Sequence, residues 1–198
     1  MNKRIKISLR QKKIIMGKLL GDGHLETVNG RTIRLKIEHS LKQRDYVDWL
    51  YNELENLASS KPKIKQQKVN GKIYNKYWFN SCYNVSLRFY YHQFYKDKKK
   101  VVPKLIHRWL TPLTLAIWYM DDGSVKSKYH RAKIINTQSF DQDDLKRLQL
   151  ALLRNFNIKT KLRKQREGWQ IYILATEINT FNKVVRKYIL PCFEYKLD

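Results

Sequence analysis

Residues 15–23 read IMGKLLGDG, and residues 115–123 read LAIWYMDDG. Each is an apolar, helix-like run that stops at an aspartate followed by glycine. A single Asp-Gly is a common turn dipeptide, so either aspartate alone reads as an ordinary helix terminus. Their positions argue otherwise. Asp22 and Asp122 stand 100 residues apart, at the same point of two similar segments. The C-terminal end of a helix carries partial negative charge, which makes it a costly place for a carboxylate. Two such helices side by side bring Asp22 and Asp122 together, and a cation between them relieves the repulsion. Mg²⁺ binds through one or two carboxylates together with phosphate oxygens. Paired carboxylates of this kind suit metal-assisted phosphodiester hydrolysis.

Working outward, the chain states one series of elements and then repeats it. Ser8–Leu20 has a helical pattern of apolar residues closed by Gly21 and Gly23. Its counterpart opens at Thr111-Pro112, an N-cap followed by proline at the first helical position. A hairpin follows each helix. The first turns at Asn29-Gly30 and returns through Ile33, Leu35 and Ile37. The second returns through RAKIINTQ, with Ala132 and Ile134 on one face and Arg131 and Lys133 on the other. Ser40–Gln43 and Ser139–Gln142 both match the S-x-x-Q capping box, predicting helices through Leu50 and Leu148. A second basic hairpin comes next in each half, turning at Asn70-Gly71 and near Glu167-Gly168. The final helices are expected at 83–96 and 177–188. The division is therefore 1–97, a basic linker at 98–110, and 111–198. The fold class is α+β, two pseudo-symmetric αββαββα repeats. Gly17 and Gly21 form G-x-x-x-G, which allows close approach of a second helix. The second copy has Ile117 and Asp121 at those positions, with Ala116 as its small residue, so the packing is asymmetric.

The 198 residues carry 41 Lys+Arg against 17 Asp+Glu, a formal charge of +24. A chain with 42% apolar and 13% aromatic residues is a folded protein, not a basic tail. A charge this large repels itself in the compact state and calls for a polyanionic partner, nucleic acid. No apolar run approaches the roughly 18 residues a membrane span needs, so no membrane partner is expected. Cys82 and Cys192 stand far apart without metal-ligand spacing, which points to a reducing compartment and away from structural zinc. The basic start lacks the apolar core of a secretory signal. Abundant Lys, Ile, Asn and Tyr is in keeping with an AT-rich, organellar gene.

The two motifs, in register and flanked by basic hairpins, resemble the signature of LAGLIDADG homing endonucleases. Two copies in one chain are similar to the monomeric, double-motif branch; LTPLTLAIWYMDDG, NTQSF and YILPCFEYKL resemble its omega-intron type. The resemblance covers essentially the whole chain. It implies motif helices at the interface of the repeats and antiparallel sheets forming a saddle over DNA. It implies Asp22 and Asp122 as metal-binding acids, helped by the carbonyls of Gly21 and Asp121. Two or three divalent ions are implied, Mg²⁺ with Mn²⁺ as a substitute. Asp121 departs from the small residue usual there. His39 and Gln138 stand where the family places a polar residue that organises water, and their difference implies inequivalent half-sites. Lys196 matches the basic residue of the second half. Lys100 is the first-half candidate, with Lys98 and Lys99 as rivals. DNA contacts are expected from Arg34, Lys36, Lys65, Gln67, Arg131, Lys133, Lys161, Arg163, Gln165, Gln170 and Tyr172. Arg, Lys and Gln on such strands read base edges or grip phosphates.

The activity implied is a site-specific, metal-dependent double-strand break in a long asymmetric DNA target. The alternatives are a group I intron RNA maturase and a catalytically inactive DNA-binding protein of the same fold. Other nuclease chemistries fit less well. Glu194-Tyr195-Lys196 matches E-x-K without a Pro-Asp partner strand, and the histidines form no H-N-H-like cluster.

Overall fold

The computed structural model describes residues 5–28, 32–127 and 130–197. The first hairpin turn, placed at Asn29-Gly30, lies outside the described residues. Two compact units emerge: Met1–Lys12 with Asp22–Tyr91, and Lys13–Gly21 with His92–Asp198. The second unit thus includes the end of the first motif helix.

That helix, α1 (Leu9–Leu20), buries every residue from Ile14 to Leu20. It starts with a reciprocal capping box. Ser8 Oγ accepts from the Gln11 amide at 3.2 Å, and Gln11 Oε1 accepts from the Ser8 amide at 3.0 Å. In the first unit, β1 (His24–Thr27), β2 (Ile33–Ser40), β3 (Lys63–Val69) and β4 (Lys72–Asn80) form an antiparallel sheet of order β1-β2-β4-β3. Strict alternation in β2 buries Ile33, Leu35, Ile37 and His39 on one face. Helix α2 (Arg44–Glu53) covers that face with Tyr46, Val47 and Leu50. Asn70 and Gly71, at φ 49° and 79°, make the tight turn between β3 and β4 that the Asn-Gly pair predicts. Helix α3 (Arg88–Phe94) follows, after a single 3-10 turn. It leads into a two-residue hairpin of β5 (Tyr95–Lys96) and β6 (Lys99–Lys100), with Asp97 and Lys98 both at positive φ.

The second unit repeats the order. Helix α4 (Pro112–Asp122) begins where expected, with Thr111 Oγ1 accepting from the Thr114 amide. It is buried from Leu113 to Met120, the sign of a core helix apolar all round. Strands β7 (Gly123–Ser127), β8 (His130–Ile135), β9 (Thr160–Gln165) and β10 (Gly168–Ile173) form a sheet of order β7-β8-β10-β9. Helices α5 (Gln142–Phe156) and α6 (Ile178–Val185) supply Leu145, Leu148, Leu152, Phe181 and Val185 to its core. The cap of α5 falls two residues later than the S-x-x-Q pattern indicates. Asp141, not Ser139, accepts from the Asp144 amide at 2.8 Å, because a carboxylate caps a helix as well as a hydroxyl and adds favourable charge. The last hairpin also shifts slightly. Gly168 pairs with Gln165, leaving Arg166 and Glu167 as the turn. Gly168 is at φ 142°, and a side chain there would fall 2.6 Å from the Gln138 carbonyl.

Within this unit the end of α1 packs directly on α4. A Cβ on Gly17 would stand 2.7 Å from Ile117 Cβ and 2.8 Å from the Thr114 carbonyl. One on Gly21 would strike the Asp121 side chain. Thr114 Oγ1 also donates to the Lys13 carbonyl at 3.3 Å. The G-x-x-x-G spacing therefore does what it suggests, against a larger-residue partner. Among the described residues, no helix is long and apolar enough to cross a membrane.

Candidate catalytic ends and nucleic-acid faces

Asp22 follows α1 directly, and its side chain is 51% exposed. His39 lies behind it in the first unit, buried on β2, with Nδ1 3.7 Å from Asp22 Oδ2 and 3.1 Å from Gln43 Oε1. The His39 ring packs on Tyr46, centroids 5.1 Å apart. Its orientation is thus set by packing and by Gln43.

The peptide before Asp22 belongs to the second unit, where a lysine reaches it. Lys100 Nζ donates to the Gly21 carbonyl at 2.5 Å. Lys98 and Lys99 are exposed, whereas Lys100, from β6, is half-buried. The end of α4 has the same device. Lys196 is buried and its Nζ donates to the Met120 carbonyl at 2.6 Å, with the Asp121 carbonyl at 3.5 Å. A cation on the last carbonyls of a helix offsets the negative end of its dipole. Asp122, at the end of α4, has its carbonyl held by the Asn136 amide and side chain, both at 3.0 Å. Gln138 sits in the following turn, its backbone against Gly168.

Of three further residues near these ends, two were not singled out by the sequence pattern and the third, Lys133, was expected to contact DNA. Lys18 lies wholly buried in α1 and meets both carboxylate oxygens of Asp121 at 2.8 Å. This explains how an aspartate is tolerated at a place the family gives to a small residue. Its side chain is engaged by Lys18 at both oxygens. Lys18 falls four residues after Ile14 on the apolar face, which is the signal that would have marked it. Tyr119 and Lys133 are the others. Tyr119 Oη and Lys133 Nζ both donate to the Lys196 carbonyl, at 2.7 and 2.9 Å. Burial pushes the Tyr119 phenol well above its usual range, so it remains a donor.

Lys133 corrects the outward reading of β8. It is 1% exposed and pairs with Ile173 and Val125, on the core side. Ile134, which pairs with Tyr172 and Ser124, shares the opposite face with the basic residues. A register shift between Val125 and Ser127 disturbs β7–β8 pairing near this point, and such irregularities break simple alternation. Arg131 is exposed.

The remaining strand candidates fall on shared faces. In the second unit, pairing of Tyr172 with Lys161 and of Gln170 with Arg163 places these four, with Gln165, on one face. Lys126 joins them, its Nζ 5.7 Å from the Tyr172 ring centroid, and a concavity opens between Lys126, Lys161, Arg163 and Tyr172. Gln170 Nε2 donates to Asn136 Oδ1 at 2.7 Å, linking this face to the residue that holds Asp122. In the first unit Arg34, Lys36, Lys65 and Gln67 share a face with Trp78 and Lys76. Two glutamates lie among them. Glu26 is 2.7 Å from Arg34 and 3.4 Å from Lys36; Glu38 is 2.7 Å from Lys65 and 3.7 Å from Lys36. Burial alone would raise both carboxyls, but the bonds from Arg34 and Lys36, and from Lys65, outweigh it and hold both below the usual range.

Comparison with known proteins bears on these motif ends. A model of the LAGLIDADG DNA endonuclease family matches residues 12–181. The chain belongs to this family. Among LAGLIDADG relatives, DNA endonuclease I-ChuI of Chlamydomonas applanata is 32% identical over 210 residues, covering 97% of this chain and 96% of that one. The cytochrome b mRNA maturase bI2 of Saccharomyces cerevisiae is 33% identical over 198 residues. That match covers 93% of this chain but 46% of the maturase, so the chain spans about half of it. In structure, the LAGLIDADG fold is shared with the homing endonuclease I-WcaI bound to its DNA recognition sequence. The TM-score is 0.90 at 22% identity, over 98% of this chain and 88% of the other. The αββαββα repeats, helices with antiparallel sheets, are the LAGLIDADG architecture.

Proposed function

We propose that this chain is a monomeric, site-specific homing endonuclease that makes a metal-dependent double-strand break in a long asymmetric DNA target. The observation that carries this reading is a duplicated one. Each motif helix ends at an aspartate, and in each case a lysine from a distant part of the chain donates to a carbonyl of the last turn, Gly21 beside Asp22 and Met120 two residues before Asp122. A simple helix terminus explains neither the repeated carboxylate nor the repeated lysine.

Asp22 and Asp122 would hold the divalent ions, Mg²⁺ in the first place. The exposed Asp22 carboxylate is a hard oxygen donor suited to such an ion. The Gly21 and Asp121 carbonyls are further donors; a carbonyl that accepts from lysine keeps a second lone pair. When bound, the ion supplies an activated water and neutralises charge on the departing oxygen. Lys100 and Lys196 bring positive charge to the negative helix ends, where the scissile phosphate is to sit. Lys18 keeps the Asp121 side chain folded into the core. His39, fixed by Gln43 and Tyr46, orients Asp22. Asn136 holds the Asp122 peptide instead, so the two strand cuts proceed in different surroundings. The basic faces of the two sheets supply phosphate neutralisation and base contacts.

A second reading, an intron RNA maturase, is favoured by the bI2 resemblance. One assay separates them. DNA spanning the junction without its intron is incubated with the protein in Mg²⁺ and in chelator, beside a splicing reaction on the intron-containing RNA. The endonuclease reading expects a double-strand cut in Mg²⁺ alone. Splicing enhancement without a DNA cut refutes it.

A further inference from the structure

The first sheet's basic face holds two carboxylates, and the second sheet's strands contain none among the described residues. For a surface meeting a polyanion this asymmetry costs affinity, since each carboxylate repels phosphate and cancels part of the field of its neighbours. Both glutamates could simply have been replaced by neutral residues of the same β-strand character. Their contacts show different tasks. Glu26 uses both oxygens: Oε2 accepts from Arg34 Nε at 2.8 Å, and Oε1 faces Lys36 at 3.4 Å. Glu38 does not. Lys65 and Lys36 both lie nearest Oε2, at 2.7 and 3.7 Å, and Oε1 accepts no hydrogen bond from the described residues. Lys65 reaches Oε2 by crossing the Trp78 ring, 5.8 Å from its centroid, so the carboxylate is braced from the side. Trp78 pairs directly with Glu38 across the sheet.

Resting on the endonuclease reading above, we propose that Glu38 is a base-reading residue whose Oε1 accepts a hydrogen bond from the amino group of a cytosine in the major groove. A carboxylate can only accept, and the groove offers it few donors. Guanine and thymine present oxygen and nitrogen acceptors that repel it; adenine presents N6–H₂ beside the N7 acceptor, whereas cytosine presents N4–H₂ with no acceptor beside it. Lys36 and Lys65 set the side-chain geometry and keep it ionised, while Glu26 serves to position Arg34. The first sheet thereby rejects wrong bases by repulsion as well as selecting the right one, which is how specificity is gained at a cost in affinity.

The test is selection of bound duplexes from a randomised DNA library, using the full chain without Mg²⁺, for wild type, Glu38→Gln and Glu26→Gln. Wild type should enrich cytosine at one position that Glu38→Gln loses by tenfold or more, with the other positions kept. Glu26→Gln should leave that cytosine in place. Binding of Glu38→Gln to unrelated duplex should tighten severalfold. An unchanged cytosine preference in Glu38→Gln, or an equal loss at every position with a native circular dichroism spectrum, overturns the inference. A wild-type chain that enriches no sequence overturns the DNA-recognition reading itself, and the inference with it.

Discussion

Replacing Lys18 by methionine keeps an unbranched apolar stem one atom shorter than the lysine side chain. It removes the ammonium that both Asp121 oxygens meet at 2.8 Å, in a place where neither side chain is exposed. Breaking a buried ion pair from one side costs about 3–5 kcal/mol, because the remaining charge loses its compensation without regaining water. For a chain of this size each kcal/mol is worth about 2–4 °C in Tm, so Lys18→Met should melt some 6–20 °C lower. Urea unfolding at neutral pH in chelator reads the same loss without a contribution from bound ions. The double variant Lys18→Met with Asp121→Ala removes both charges and leaves the small residue usual in the family. Its cost should fall short of the sum of the single costs by about 2 kcal/mol. A Lys18→Met protein within about 1 kcal/mol of wild type, or strictly additive costs, would refute the view that this pair fastens the two motif helices.

Gly17→Ala should destabilise the chain by about 1–3 kcal/mol through overpacking against Ile117 and the Thr114 carbonyl, despite alanine's better helix propensity; thermal melting checks this. The Glu26 and Glu38 carboxyls lie below their unfolded range, so their stabilising effect is full above about pH 4.5 and is lost as pH falls through their folded values. The stability gap between wild type and a Glu26→Gln/Glu38→Gln double variant, followed by urea unfolding from pH 7 to pH 3, should therefore close below that point. DNA affinity should fall about 10³–10⁵-fold between 50 and 200 mM salt if six to ten phosphates are neutralised. A flat titration by fluorescence anisotropy would contradict the basic-face account.

Much of this architecture is written in local patterns. The alternation of Ile33, Leu35 and Ile37, the Asn70-Gly71 turn and the Thr111-Pro112 start each have one favourable structural solution, and each took it. The two G-D-G-like ends were legible because a carboxylate at a helix C-terminus is locally unfavourable and occurs twice. What escaped depends on partners far along the chain. Lys18 stands on the apolar face of its helix, but nothing local names its partner until Asp121 is seen beside it. Lys133 reads as an outward residue by alternation, but its long stem lets the ammonium reach the Lys196 carbonyl from the core side. Asp141 displaced Ser139 as a cap because both types fit, and only the path of the preceding turn decides between them. Glu26 and Glu38 were overlooked for a different reason: in a chain this basic, charge counting draws attention to the lysines and away from the carboxylates among them.

The central claim is that Asp22 and Asp122 are the acids that sustain cleavage. Asp22→Asn and Asp122→Asn test it when cleavage in Mg²⁺ and binding in chelator are measured on the same duplex. Each variant should lose the double-strand break by at least a hundredfold while binding stays within a few-fold of wild type. Full double-strand cleavage by either variant would contradict the account.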